Sequence, residues 1–363
     1  MTESKATGSN GAGPKAAGRV QTVLGLVEPS SLGLTHTHEH LLIDMRCYHR
    51  VPEEATRRQW VNAPLTMDRL GFISGNQNFS LDEATLLDEQ ASIAELRKFQ
   101  VAGGGTIVDT TSVGIARDPL ALARISRATG VNVVMGSGYY VPISHPADMD
   151  ERSEESIYDE IVRDITVGVG GTGIRSGLIG ELGNTHPLGD NEIKGLRAGG
   201  AAQQSTGAPV LIHPGFHPDA LGQIMQVLTG AGADPGRVIM GHLDHIGDRP
   251  AILELAASGC YLEWDTFGYE DSALEDVLNC PVPNDEQRLD SLEWLAEAGY
   301  LDRLLVAHDV CTQSRHSTHG GKTFDHFITA LVPRMRTRGW SESDINMILV
   351  DNPARILTLQ EPG

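Results

Sequence analysis

From Arg19 onward the chain alternates short apolar runs with longer amphipathic ones. Eight short runs follow in order: "LGLTHTHEH", "GGTIVDTTS", "VNVVMGSGYY", "SGLIGELG", "APVLIHPG", "RVIMGHLDH", "CYLEWDTFG" and "RLLVAHDVC". Each begins with aliphatic or β-branched residues and closes on chemically active ones. Helical patterns lie between them. One opens at Ser80, with Glu83 three residues on as a capping box, and continues through Leu87, Ala91 and Ala94 until Gly103 to Gly105 stop it. "DALGQIMQVLTGAG" is a second, and "SESDINMILVDNPARILTL" is expected to close the chain as a third. Such alternation predicts βαβ units on a parallel sheet. Polar residues end nearly every run, which favours an α/β (β/α)8 TIM barrel over an open doubly wound sheet, whose site would gather at one switch point. The barrel is expected as a single domain over residues 19–363. Residues 46–80 have weak periodicity and are expected as a long loop over its mouth. Residues 1–18, rich in Gly, Ser, Ala and Lys, are expected as a disordered N-terminal tail.

Charge narrows the partners. The 28 Lys and Arg stand against 48 Asp and Glu, a formal charge of -20. An acidic surface repels polyphosphate, so neither nucleic acid nor an anionic membrane is expected as a partner. No apolar run approaches the length needed to span a bilayer, and the N-terminus lacks a signal-peptide hydrophobic region. Cys47, Cys260, Cys280 and Cys311 are scattered, with no CxxC spacing, as in a reduced cytoplasmic protein. The glycines of "GVGGTGIRSG" precede a strand and do not link a strand to a helix, so they predict a flexible connection and no phosphate cradle.

The strand ends carry the chemistry. Residues i and i+2 of a strand share a side, so His38 and His40 can both face the barrel axis. His36 has the same parity one step deeper, and parity alone leaves the choice between the two pairs open. Glu181, His213, His242 and Asp309 stand at or near the ends of four further runs. With an HxH pair they make four imidazoles and two carboxylates, a set suited to two divalent ions with one carboxylate between them. Tyr140 and Asp265, ending the third and seventh strands, are candidate substrate contacts, Asp265 being equally placed to support a ligand. His217, Arg315, His316 and His319 are expected as solvated loop residues, and Asp44 and Asp109 as ion-pair partners or supporting carboxylates.

"THEHLLID", "GLIGELG", "IHPG", "IMGHLD", "DTFG", "HDVCT" and "NPARIL", in this order, resemble the phosphotriesterase family of the amidohydrolase superfamily, and most closely its phosphotriesterase-related branch. The resemblance covers roughly residues 20–359. It implies His38 and His40 as ligands of a buried ion with Asp309, and His213 and His242 as ligands of a more exposed one. Glu181 falls at the bridging position, where phosphotriesterases proper carry a carbamylated lysine. His245 replaces an arginine common in the branch and becomes a candidate substrate contact. His36 is left as a buried residue beneath the site. The implied cofactor is a pair of divalent ions, zinc first, with Mn2+, Co2+ or Fe2+ as alternatives, and a homodimer is what the resemblance suggests. The expected function is a metal-dependent hydrolase that cleaves an ester-type bond of a small molecule, a lactone or carboxylic ester, by a metal-bridging hydroxide. Asp309 is expected to take a proton and pass it on through His242 or His245, with Glu181 completing the catalytic set. The alternatives are an amide of an N-acyl amino compound, a phosphotriester and, in another class, a non-catalytic binding protein.

Overall fold

In the computed structural model all eight runs become strands. They are β1 (Leu34–Glu39), β2 (Gly104–Asp109), β3 (Asn132–Met135), β4 (Ile179–Gly183), β5 (Val210–His213), β6 (Val238–Met240), β7 (Tyr261–Trp264) and β8 (Leu304–Val306). The structure describes residues 16–73, 78–270, 280 and 282–363. Most of the expected tail thus lies outside the described residues, while at Gly18 the backbone N–H already bonds the carbonyl of Leu359.

Pairing is parallel from β1 to β2 to β3 and from β4 through β8. The two arcs meet at both seams, through Gly177 N–H to Met135 O and through Asp309 N–H to His38 O. The chain is a (β/α)8 barrel. Helices cover its outside: α1 (Glu89–Val101), α2 (Pro119–Thr129), α3 (Glu154–Thr166), α4 (Asp190–Thr206), α5 (Pro218–Gly230), α6 (Arg249–Ala257) and α7 (Asp285–Glu297). Asp88, Asp118, Ser153, Asp248 and Asn284 cap these helices with side-chain oxygens on otherwise orphaned N–H groups. Buried aliphatics of strands and helices, Ile179, Val210, Ile224 and Leu292 among them, make the shell between sheet and helices. Among the described residues no helix is long and apolar enough to cross a membrane.

Two expectations need correction, and a third element carries an added feature. The helix expected from Ser80 starts at Glu89, because Thr85 and Leu86 pair antiparallel with Asp44 and Ile43. Ser80 and Glu83 still make a turn, the Ser80 hydroxyl accepting from the Glu83 N–H at 3.2 Å. The expected closing helix runs from Glu342 to Leu357, with a π-helical turn Met347–Asp351 between Glu342–Asn346 and Asn352–Leu357. Pro353, which has no N–H to donate, sits at the start of the last piece. Finally, the ladder between β1 and β2 shifts register between His36 and Glu39. A bulge changes which side a residue faces. His36 therefore does not lie beneath the site but packs against Phe99 of α1 and Phe327, with ring centroids 4.9 and 6.4 Å away.

The long segment after β1 is placed by a buried carboxylate. Glu83 accepts from the Ser314 N–H at 2.9 Å and from the Ser314 hydroxyl, tying this segment to the loop after β8. Burial pushes the Glu83 carboxyl up to about 7. A pKa raised above the unfolded value means that the folded state holds the proton longer. Stability should then fall as pH rises from the ordinary carboxylate range to about 7. Glu83→Gln, which cannot ionise, is expected to flatten this dependence, with its largest relative loss of melting temperature at pH 5 and a smaller one at pH 8. Equal losses at both values in thermal denaturation would contradict the assignment.

Candidate metal centre

The expected six side chains converge at the C-terminal mouth of the barrel. Glu181, on β4, lies in the middle. Its Oε1 is 3.5 Å from His40 Nε2, and its Oε2 is 3.5 Å from His38 Nε2, 3.3 Å from His213 Nδ1 and 3.8 Å from His242 Nε2. Asp309 Oδ1 lies 3.2 Å from His40 Nε2 and 4.0 Å from His38 Nε2. Two donor sets follow, His38 with His40 and Asp309, and His213 with His242 and Glu181, each with its ligand atoms within 4.8 Å of one another.

Local backbone geometry aims these groups. His242 and Asp309 follow the ends of β6 and β8 in left-handed conformations, with φ of 53° and 47°. Such conformations cost a non-glycine residue roughly 1–2 kcal/mol and persist where the surroundings enforce them. Gly241 allows the turn at β6, since a Cβ there would come within 2.9 Å of both Asp265 Oδ2 and Ile212 O.

Hydrogen bonds behind the rings select which nitrogen faces inward. Thr111 gives its hydroxyl hydrogen to Leu42 O, so at 2.8 Å it accepts from His40 Nδ1 and leaves His40 Nε2 as the inward lone pair. His242 Nδ1 donates to Asp265 Oδ1 at 2.8 Å, and the His242 backbone N–H donates to Asp265 Oδ2 at 2.9 Å. His38 Nδ1 lies 3.1 Å from the same Asp265 Oδ2. Supporting carboxylates of this kind orient metal-ligating imidazoles.

This placement corrects two expectations. Asp265 is fully buried behind His38 and His242 and does not line the cavity, which leaves the ligand-supporting role of the two expected for it. His242 Nδ1 is held by Asp265 and Nε2 faces the donor cluster, so a ligand role for Nε2 would leave no nitrogen for the proton transfer expected of it.

Electrostatics favour bound cations. Burial opposes charge on His38 and His242, yet the neighbouring Glu181 and Asp265 outweigh it and hold both pKa values well above the imidazole range. Burial likewise opposes charge on Glu181, but the charge of His38 and the nearby rings of His213 and His242 hold its carboxyl well below the usual range. His213 is driven down by burial and by the charge of His242. Thus the carboxylates are held ionised and draw positive charge onto rings crowded around them. His38 Nε2 and Glu181 Oε2 are buried without a hydrogen-bond partner. Divalent ions would satisfy these orphaned donors and relieve the contact between His213 and His242, so the residues fit a two-ion centre.

A cavity of about 360 Å³ opens above the cluster. Its wall includes His213, His242 and Asp309, with Tyr48, Tyr140, Phe216 and Tyr269 as aromatic faces and Arg50, His186 and His245 as polar ones. Tyr140 and His245 are where substrate contacts were expected. The Tyr140 hydroxyl is 3.5 Å from His213 Nδ1, and His245 Nε2 is 3.1 Å from Thr266 Oγ1. Thr266 is in turn held by fully buried Arg288, whose Nη2 donates to its hydroxyl at 2.9 Å and whose Nε donates to Asp244 at 2.8 Å. Two residues expected in solvent are buried. Arg315 stacks 3.8 Å from the Tyr269 ring and donates to the carbonyls of Phe267 and His308, while His316 is 5 % exposed. His217 is exposed and stacks on His186 with centroids 4.1 Å apart, and His319 is half-buried. Asp44 pairs with Arg46, and buried Asp109 accepts from the Leu41 N–H at 2.7 Å. Sequence reasoning missed Tyr48, Arg50, His186, Phe216 and Thr266. Only Thr266 carried a signal, from its place in "DTFG".

The sequence pattern of the phosphotriesterase family matches residues 18–357. An N-acetyltaurine hydrolase of Danio rerio is 40% identical over 346 residues, covering 94% of this chain and 99% of that protein. The crystal structure of a resiniferatoxin-binding protein from Rhodobacter sphaeroides superposes with a TM-score of 0.90 at 35% identity, covering 94% of this chain and 95% of that one. A mutant of a phosphotriesterase-like lactonase from Deinococcus radiodurans superposes with a TM-score of 0.72 at 26% identity, covering 93% and 99%.

Proposed function

The chain belongs to the phosphotriesterase family and is a hydrolase, and from that premise we propose that it cleaves the amide bond of a small N-acyl amine carrying an anionic end, using two divalent ions, zinc foremost. The observation that carries this reading is Arg50. Arg50, an exposed residue, lines the cavity and has no ion pair among the described residues, in a chain whose net charge is -20. A lone cation beside the candidate centre suits a sulfonate or carboxylate tail. The Danio rerio relative, named for such an amide, supports the same choice over the lactone expected from the sequence. A lactone remains the second reading, favoured by the likeness to the Deinococcus radiodurans lactonase.

Bound ions would acidify a water molecule and polarise the acyl carbonyl. The chain's own residues do the rest. Glu181 and the four imidazoles hold the centre rigid, and the aromatic walls exclude solvent around the acyl group. Asp309, which meets both donor set and cavity, takes the proton of the attacking water and returns it to the departing nitrogen. An amine leaves only when protonated, so this step matters more for an amide than for an ester.

The test is a panel of N-acetyltaurine, N-acetyl amino acids, neutral N-acetyl amines, lactones and phosphotriesters, assayed with metal-loaded protein and again with a chelator. Anionic N-acyl amines are expected to have the highest kcat/KM, and the chelator to abolish turnover. Preference for lactones would select the second reading, and inactivity of the loaded protein across the panel would leave a binding protein. Arg50→Ala is expected to raise KM for anionic amides about tenfold, the scale of ~1.4 kcal/mol from one charge-assisted contact, without affecting neutral ones. Equal effects on both classes would remove Arg50 from the tail-binding role.

A further inference from the structure

Glu39 stands between His38 and His40 in sequence, yet its carboxylate reaches across the barrel seam to β8. Oε1 accepts from the His308 N–H at 2.9 Å and from His308 Nδ1 at 2.8 Å, and Oε2 accepts from the Val310 N–H at 3.2 Å. The two backbone donors flank Asp309, the residue held in the left-handed conformation with φ 47°. His308 continues the chain outward, because its Nε2 accepts from the Phe327 N–H at 3.1 Å. That bond makes Nδ1 the protonated nitrogen and fixes the direction of its bond to Glu39. Glu39 and His308 are both fully buried.

With His36, these two residues form a cluster whose ligand atoms lie within 4.8 Å, as in a metal site. The hydrogen bonds assign it another task. Both nitrogens of His308 and both oxygens of Glu39 are already engaged within the chain. His36 contributes its ring edge to His308, with centroids 4.7 Å apart, and its Nδ1 lies 3.4 Å from Glu39.

We propose that Glu39 is a positioning residue that, with His308, locks the backbone on both sides of Asp309 and so sets the pose in which Asp309 joins His38 and His40 around one of the two ions. The remaining hold on Asp309 is weaker: its N–H reaches His38 O at 3.2 Å, and its carbonyl accepts from the Tyr269 hydroxyl at 3.1 Å. Three donors from one loop meeting a single carboxylate cannot be matched by an amide, which has one acceptor oxygen and turns an N–H toward another. The proposal rests on the six donors being a two-ion centre and is independent of which bond is cleaved.

The test uses Co2+ as probe and needs no substrate. Metal-free wild-type protein and Glu39→Gln are titrated with Co2+ against a competing chelator, with visible absorption reporting each equivalent. The wild type is expected to take up two. Glu39→Gln is expected to bind one equivalent as the wild type does and the other 10–100-fold more weakly, the scale found when partners of metal ligands are removed. His308→Gln keeps the Glu39 carboxylate and both backbone bonds, and it should weaken the same equivalent by less, which keeps the test open if Glu39→Gln does not fold. Asp164→Asn, a buried carboxylate of α3 paired with Arg117, serves as control and should leave both equivalents unchanged. Two unaltered equivalents in Glu39→Gln, or two weakened by the same factor, would overturn the proposal. A wild type that binds no Co2+ would remove the centre and the proposal with it. Failure of the amide reading alone would leave the titration intact.

Discussion

Asp309→Asn is expected to lower kcat by about a thousandfold while KM changes little and metal content persists, on the scale assigned to a positioned general base. The reason lies in where Asp309 sits. Its side chain is 18% exposed, against 7% or less for the other five candidate ligands. Of the three candidate ligands on the cavity wall, His213, His242 and Asp309, it is the most exposed. Two of the others have partners that hold their ring protons in place, Asp265 for His242 and Thr111 for His40. Asparagine keeps the shape and one oxygen donor, so the fold and the ion can survive. What it loses is the basicity needed to take a proton from water and return it to a leaving nitrogen. Steady-state rates on the preferred N-acyl amide, with metal analysis of the same sample, separate these effects. A kcat near wild type at full metal content would exclude Asp309 as the base. A loss of rate in strict proportion to lost metal would reduce it to a ligand.

The part of this site legible in the sequence is the part that obeys strand geometry. His38, His40, Glu181, His213, His242 and Asp309 all occupy the C-terminal ends of strands, where the barrel gathers polar side chains from separate runs. The same periodicity misled at His36, because the register shift in β1 turns that residue outward to Phe99 and Phe327. A bulge leaves no mark in the alternation of apolar and polar residues. The helix at Ser80 failed for a related reason. Its capping signature is genuine as a turn, but pairing of Thr85 and Leu86 with β-structure after β1 overrides the helical pattern. Arg50, Phe216 and His186 reach the cavity from loops whose paths depend on distant contacts, such as the Glu83 bond to Ser314. Glu39 and His308 were in plain view inside "THEH" and "AHDVC", but nothing in one sequence says that residues so far apart share a hydrogen bond.

A larger loss still is expected from Glu181→Gln, which should leave at most one tightly bound ion per chain and turnover lower by roughly 10³-fold or more, given the several kcal/mol that metal-assisted attack supplies. Glu181 belongs to the set with His213 and His242 and also faces the other set, with one oxygen toward His40 and the other toward His38, His213 and His242. Glutamine keeps the volume but offers one acceptor oxygen, and it turns an NH2 group toward rings whose lone pairs must face an ion. Charge makes the change worse. Glu181 is held ionised in a buried site, and its charge is the largest influence drawing positive charge toward His38. Without it, four buried imidazoles and the ions would face Asp309 as the single carboxylate inside the cluster, since Asp265 is occupied behind the rings. Uncompensated buried charge is costly, so the protein should shed an ion before it tolerates the excess. Metal analysis after dialysis, followed by rate measurements with excess metal restored, checks this directly. Two ions retained through dialysis with a wild-type rate would show that Glu181 does not join the two halves of the centre.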